Sequence, residues 1–304
     1  MDNSDKVKLS FSGHDTFPFR YTWLKKGVDA VKNDSAIFKK EDALALLGVG
    51  KNMVNAIKHW CLLLGVIEET SAHEYSPTTF GANLLIDSGW DPYLEDQATL
   101  WLLQWKIANS LSKATTWFFA FNKITSPEFT KEQLIMQLKD YALVSGVRAT
   151  QNTLNRDVDC FLRTYVSSRL VKSNLFEDSL DCPLTELNLV QETGQRGLFV
   201  FNRGIKTEIP NEIFLYVLLD FWNNKFEKRE VLSFDDIAFA EGSPGLVFKL
   251  DEDALAYRLE MVEKETKGIM RFDETSSLRQ VYRREYIDQN YFLNTYYTRE
   301  CSIA

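Results

Sequence analysis

Histidine and cysteine are scarce in this 304-residue chain, and that removes several chemistries at once. Three histidines (His14, His59, His73) are too few and too scattered for a histidine-rich metal centre. The four cysteines (Cys61, Cys160, Cys182, Cys301) form no C-x-x-C pair, which argues against a zinc ribbon and reads as buried or incidental thiols. Long apolar runs are missing too. The strongest, 213-IFLYVLLDFW-222, falls well short of the roughly 20 residues a membrane-spanning helix needs. The start, MDNSDKVKLS, is polar and matches neither a signal nor a transit peptide, so a cytoplasmic protein with no membrane partner is expected. Positive charge is in deficit: Lys and Arg number 35 against 43 Asp and Glu, a net charge of -8. Such a chain does not coat nucleic acid over its whole surface. A local basic face remains compatible with it, because charge is screened within about 8–10 Å at cellular salt. Glycine and proline (14 and 7) build no linker, and no repeat or low-complexity tract occurs, so the units should pack closely.

Aromatics are abundant at 13%, and 45% of residues are hydrophobic, as expected for ring-filled cores. Between Ile37 and Leu85 the signals are dense. The segment 39-KKEDALALLG-48 reads as a short helix ended by glycine. In 52-NMVNAIKHWCLLLG-65, Val54, Ile57, Cys61 and Leu64 recur on one helical face. A strand candidate 66-VIEET-70, a polar stretch and an amphipathic 78-TTFGANLLI-86 follow. Helix, turn, helix, strand, wing, helix is the order of a winged helix-turn-helix. Then 100-LWLLQWKIA-108 and 117-WFFAFN-122 read as a buried helical pair, 130–143 and 150–166 as helices, and 197-GLFVFNRG-204 as a strand. The C-terminal third reads as a buried helix 211–224, a Ser-capped helix 233–240, an amphipathic helix 253–266 and a hairpin of 269–274 with 278–284. The expected architecture is mainly α with small β-hairpins: a winged helix-turn-helix with aromatic support over 1–125, a helical middle over 126–205, and a winged-helix-like unit over 206–304.

The run 47-LGVGK-51 invites a phosphate-loop reading, which fails. Ala45 stands where a Walker A loop needs glycine, Asn52 where it needs Ser or Thr, and the preceding segment is helix-like rather than a strand. As a helix-turn-helix the same stretch offers Lys51, Asn52, Asn55 and Lys58 from the N-terminal half of the second helix, with His59 beside them. Asn can bond an adenine edge twice and Lys can reach guanine or phosphate. A protein-contact face stays open as the alternative. Upstream, in 11-FSGHDTFPFRYTWLKKG-27, His14 and Asp15 could serve as an acid/base pair or as metal ligands, with Arg20 on a phosphate; the alternative is a helix cap by Asp15 and Thr16 with Phe17 and Phe19 in the core. Asp253 with 265-ETK-267 falls on one helix and is rejected as a nuclease signature. The carboxylate groups Asp157/Asp159, Glu177/Asp178/Asp181 and Asp235/Asp236 could hold magnesium, or be caps and solvated faces. Arg279, Arg283 and Arg284 beside Tyr282 could contact a nucleic-acid backbone, or form an ordinary charged hairpin.

The combination of 11-FSGHDTFPFRYTWLKKG-27, 47-LGVGKNMVNAIKHW-60, 156-RDVDC-160, 178-DSLDCPLTEL-187 and 243-SPGLVFKLDE-252 resembles the SspB-like family of bacterial Ssp DNA phosphorothioation systems over nearly the whole chain. The resemblance implies a DNA-binding, DNA-nicking endonuclease of phage defence, which opens a strand so that sulfur can replace a non-bridging phosphate oxygen. It implies Mg2+ or Mn2+ as cofactor. The implied partners are DNA and other phosphorothioation proteins, namely a cysteine desulfurase, a PAPS-reductase-like protein and an ATPase. It carries over no catalytic motif residue by residue. A non-catalytic DNA-binding adaptor and a transcriptional regulator are the alternatives.

Overall fold

The computed structural model describes residues 8–167, 182–275 and 278–300; the carboxylates Glu177, Asp178 and Asp181 and the thiol of Cys301 lie outside them. The chain divides into two compact units, Met1–Ala120 with Ile124–Phe201, and Phe121–Lys123 with Asn202–Ala304.

In the first unit α1 (Tyr21–Asn33) buries Trp23, Leu24, Val28 and Val31 at helical spacing. The short α2 (Ala43–Leu47) stops because Gly48 turns left-handed (φ 65°), and Gly50 starts α3 (Lys51–Leu63), which buries Val54, Ile57, Trp60 and Cys61. β1 (Ile67–Ser71) and β2 (Glu74–Pro77) pair antiparallel, Ile67 opposite Pro77, and α4 (Thr79–Leu85) follows, its first turn capped by Thr78 accepting from the Gly81 N–H. α5 (Gln97–Ala108) and α6 (Thr115–Asn122) are buried around most of their circumference, as their aromatic content on every face requires. A three-stranded antiparallel sheet, order β3-β5-β4, joins β3 (Glu128–Thr130), β4 (Val190–Glu192) and β5 (Leu198–Phe201); α7 (Lys131–Val144) and α8 (Gln151–Tyr165) lie between β3 and β4 in sequence. The sequence showed only β5, since three-residue strands carry no readable alternation.

The second unit is built on α9 (Asn211–Phe226), apolar nearly all round. β6 (Val231–Ser233) runs into α10 (Phe234–Phe239) through a capping box of Ser233 and Asp236. α11 (Pro244–Val247) is capped by Ser243 and α12 (Glu252–Glu260) by Asp251, so much of the 243-SPGLVFKLDE-252 motif is helix punctuation. Between the caps Lys249 is fully buried, donating to the Phe121 carbonyl at 2.8 Å, and burial pushes its amine well below the usual lysine range. The single helix expected over 253–266 is broken at Met261, with α13 (Val262–Glu265) beyond it. β7 (Met270–Glu274) and β8 (Arg279–Arg283) form the expected hairpin, and β6 adds to β8 to make a sheet of order β6-β8-β7. α14 (Asn290–Glu300) packs on α9. The mostly helical class with small antiparallel hairpins is thus found. Among the described residues no helix is long and apolar enough to cross a membrane.

Candidate nucleic-acid interface and a buried histidine–aspartate pair

With its apolar stripe turned inward, α3 presents Lys51, Asn52 and Asn55 exposed and Lys58 half-buried. Among the described residues no ion pair or side-chain hydrogen bond engages these four. The helix contains no acid, and Gly50 gives its first turn no side-chain cap, so the free N–H groups there add positive potential. The neighbouring hairpin has the opposite character, with Glu68, Glu69 and Glu74 exposed.

The other sequence-flagged site is closed. His14 is buried, and its Nε2 donates to Asp157 Oδ1 at 2.8 Å. The Thr16 N–H donates to His14 Nδ1 at 3.1 Å, so Nδ1 carries no proton and both ring nitrogens are engaged. Asp157 accepts twice more, from the Ser12 N–H at 2.6 Å and the Thr116 hydroxyl at 2.5 Å. The His14 ring stacks on Trp60 and meets Trp117 edge-on. The segment around it is a strap: Trp60 Nε1 donates to the Phe17 carbonyl, Arg163 to the Thr16 carbonyl, and Ser10 N–H to Thr115. Residues 10–17 therefore tie α3, α6 and α8 together. Left-handed backbone at Ser12, Asp15 and Thr16 makes the strap tight. Neither Asp15 nor Thr16 caps α1, whose N-cap is Arg20 without a side-chain bond, whereas Phe19 does sit fully in the core. Asp15 is half-buried, and Arg20 lies over the Trp23 ring.

His59 packs on the strap where Gly13 leaves room: a Cβ on residue 13 would stand 2.5 Å from Nδ1 of the ring. Burial first, then the adjacent His14, pushes the His59 pKa from 6.5 down to about 4. An unfolded chain protonates this histidine near 6.5 and the folded one only near 4. The neutral ring therefore contributes fully above pH 6.5, and that contribution is lost as pH falls toward 4, by about 3 kcal/mol for a shift of this size. Denaturant titrations across pH 4–7 should show this slope in the wild type and a flatter one in His59→Phe.

In the second unit the three arginines separate. Arg279 and Arg283 share the strand face of buried Val281. Arg279 lies over the Phe234 ring and pairs with Glu252 and Glu274. Arg283 lies over Trp222 and donates to Asn223 at 2.5 Å. Arg284, one residue past the strand, is the exposed member.

The remaining carboxylates are dispersed. Asp159 pairs with Lys131 at 2.6 Å, and Asp236 closes its capping box. Among the described residues no three His, Cys, Asp or Glu side chains converge, so they do not fit a preformed divalent-cation centre. Cys61, Cys160 and Cys182 are buried and in no disulfide with one another, and burial pushes the Cys61 and Cys160 thiols up and away from reactivity.

Fold and sites together define a mostly helical protein, braced in its first unit by a buried His–Asp hub and bearing a basic, acid-free helix on that unit's surface. A family model described as a protein of unknown function, DUF4007, matches residues 11–297, and the chain belongs to this family. It is similar to the magnesium ion-bound SspB crystal structure, with 30% identity and a TM-score of 0.86 over 95% of this chain and 88% of that one. A second SspB crystal structure gives 28% identity and 0.85 over the same shares. No curated protein matches the sequence significantly.

Proposed function

We propose that this SspB-like chain is a DNA-binding component of a DNA phosphorothioation system of phage defence, and that it nicks DNA so that sulfur can be installed. The observation that carries the DNA-binding part is the α3 face: Lys51, Asn52, Asn55 and Lys58 are available to a ligand on an acid-free helix in a chain of net charge -8. In this reading α2, α3, the β1–β2 hairpin and α4 make a winged helix-turn-helix with α3 as the recognition helix. The acidic hairpin is repelled by phosphate, which leaves α3 as the contact. Of the second-unit arginines, the exposed Arg284 is the one left as a candidate for a nucleic-acid backbone contact. The cysteine desulfurase, PAPS-reductase-like protein and ATPase implied by the family resemblance would be its partners in that system. Mg2+ is favoured over Mn2+ as cofactor because an SspB relative crystallised with magnesium.

Lys51→Glu with Lys58→Glu should weaken duplex binding in a shift assay at least tenfold, since each lost phosphate contact removes about 0.9 from the salt slope and each new acid repels. Because Lys51 is exposed and Lys58 half-buried, thermal stability should move little, by about 0.5 kcal/mol or less per site. Unchanged affinity would remove the α3 reading. Nicking has its own assay: supercoiled plasmid with Mg2+ or Mn2+ should give open circles. Asp15→Asn, which keeps the left-handed backbone, tests Asp15 without disturbing the buried His14. Binding without open circles would leave the non-catalytic adaptor.

A further inference from the structure

The basic character of α3 continues past its end onto a different part of the chain. Residues 43–67 contain no Asp or Glu, and neither do residues 97–127. These two acid-free stretches meet where Lys113, in the loop between α5 and α6, donates from Nζ to the Leu62 carbonyl at 2.8 Å. That bond uses one of the three ammonium protons, and the side chain is exposed. Lys58 lies one helical turn before Leu62 on α3, and both it and Lys113 are near enough to the His59 ring to act on it. Among the described residues the acid that acts on that ring is Asp157, which is buried and already takes three hydrogen bonds. Along α3 the solvent stripe runs Lys51, Asn55, Lys58 and Leu62. At 1.5 Å per residue, Lys51 and the Lys113 amine on Leu62 stand about 17 Å apart along the axis, somewhat more than the roughly 12 Å width of a major groove.

We infer that Lys113, together with Lys58, is a backbone-phosphate contact at the C-terminal end of α3, so that a duplex seated on this helix is held at both ends of it. The inference rests on the reading of α3 as the DNA-contacting helix and adds a contact from outside the helix-turn-helix. Sequence-independent affinity comes from this contact, while Asn52 and Asn55 between the two basic ends are left to meet base edges. A lysine that merely caps the helix terminus would leave the ionic part of binding untouched.

The test is the salt dependence of binding of the full-length protein to a mixed-sequence duplex. Lys113→Gln retains an N–H donor for the Leu62 carbonyl but no charge, and should make the slope of log K against log salt shallower by about 0.9; Lys113→Arg should restore it. An unchanged slope in Lys113→Gln, with Lys51→Glu/Lys58→Glu still weakening binding at least tenfold, overturns the inference and leaves the α3 reading standing. Intact binding in the double charge reversal overturns both. A second measurement needs no variant: duplex DNA should protect Lys113, Lys51 and Lys58 from amine acylation in the wild-type protein, scored by mass spectrometry against Lys139 on α7. Equal acylation of Lys113 with and without DNA also overturns the contact.

Discussion

Replacing Asp157 with Ala should lower the stability of the first unit by about 3–5 kcal/mol, the cost of removing one partner from a buried, hydrogen-bonded polar pair. The carboxylate is 1% exposed and receives three donors, from the Ser12 backbone, His14 and Thr116. With the side chain gone all three are stranded away from water, each at about 1–3 kcal/mol, and the strap they hold loosens from α8. For a unit of this size a loss of that magnitude lowers the unfolding midpoint by roughly 10 °C. Asp157→Asn separates shape from charge. It fills the same volume but aims an NH2 at one set of donors, so it should fall between wild type and Ala. His14→Phe alone should cost less than Asp157→Ala, and the double variant less than the sum, because the two residues share one bond. A drop below about 1 kcal/mol in Asp157→Ala would show that water reaches the pair, and would reopen His14 as a chemical group.

This pair shows where the sequence was legible and where it was not. His14 stood out because its surroundings, 11-FSGHDTFPFR-20, are unusual, yet its partner lies 143 residues away and no local pattern joins them. A signal did exist on the partner's side. Leu154, Asp157, Val158 and Phe161 recur at helical spacing, so Asp157 sits in the apolar stripe of α8 and cannot be a solvated carboxylate. The same logic sorts the arginines. Positions 279, 281 and 283 share a strand face, and once Val281 is taken as core the two flanking guanidiniums must lie along buried rings, which leaves Arg284 outside. Helices with strong periodicity or aromatics on all faces, α3, α5, α6 and α9, were readable to within a few residues. Three-residue strands were not, and neither was the break at Met261, which has no Gly or Pro to announce it. The α3 face was readable because exposure there follows directly from which side of the helix is apolar. What no sequence pattern could supply is that Lys113, about fifty residues downstream, returns to the end of that helix.

Gly81→Ala should be nearly as damaging as the loss of Asp157, and against the usual rule. In an open helix the change favours folding by about 0.5–1 kcal/mol. Here α4 presses on the chain just before the hairpin. A Cβ at residue 81 would overlap the Val66 carbonyl oxygen and stand 2.6 Å from its carbon and 2.7 Å from the Val66 Cα. These are backbone atoms and cannot rotate away. Nor can the helix slide, because the Thr78 N–H donates to the same Val66 carbonyl at 3.1 Å and the Thr78 hydroxyl donates to Gly65 at 2.6 Å. The overlap should therefore cost about 3 kcal/mol or more, at the upper end of overpacking effects. Two neighbouring glycines give the scale. A Cβ at Gly48 meets open space but forces a left-handed φ of 65° on alanine, worth about 1–2 kcal/mol. A Cβ at Gly50 meets open space at an ordinary extended φ of -69°, so Gly50→Ala should cost least, about 0.5 kcal/mol for alanine in place of glycine at the N-cap of α3. Urea midpoints should fall in the order Gly50→Ala, Gly48→Ala, Gly81→Ala, with the largest loss last and the denaturant slope unchanged. A Gly81→Ala protein as stable as the Gly50 control would mean that α4 does not seat on Val66. The brace that holds the hairpin beside α3 would then have to lie elsewhere in the unit.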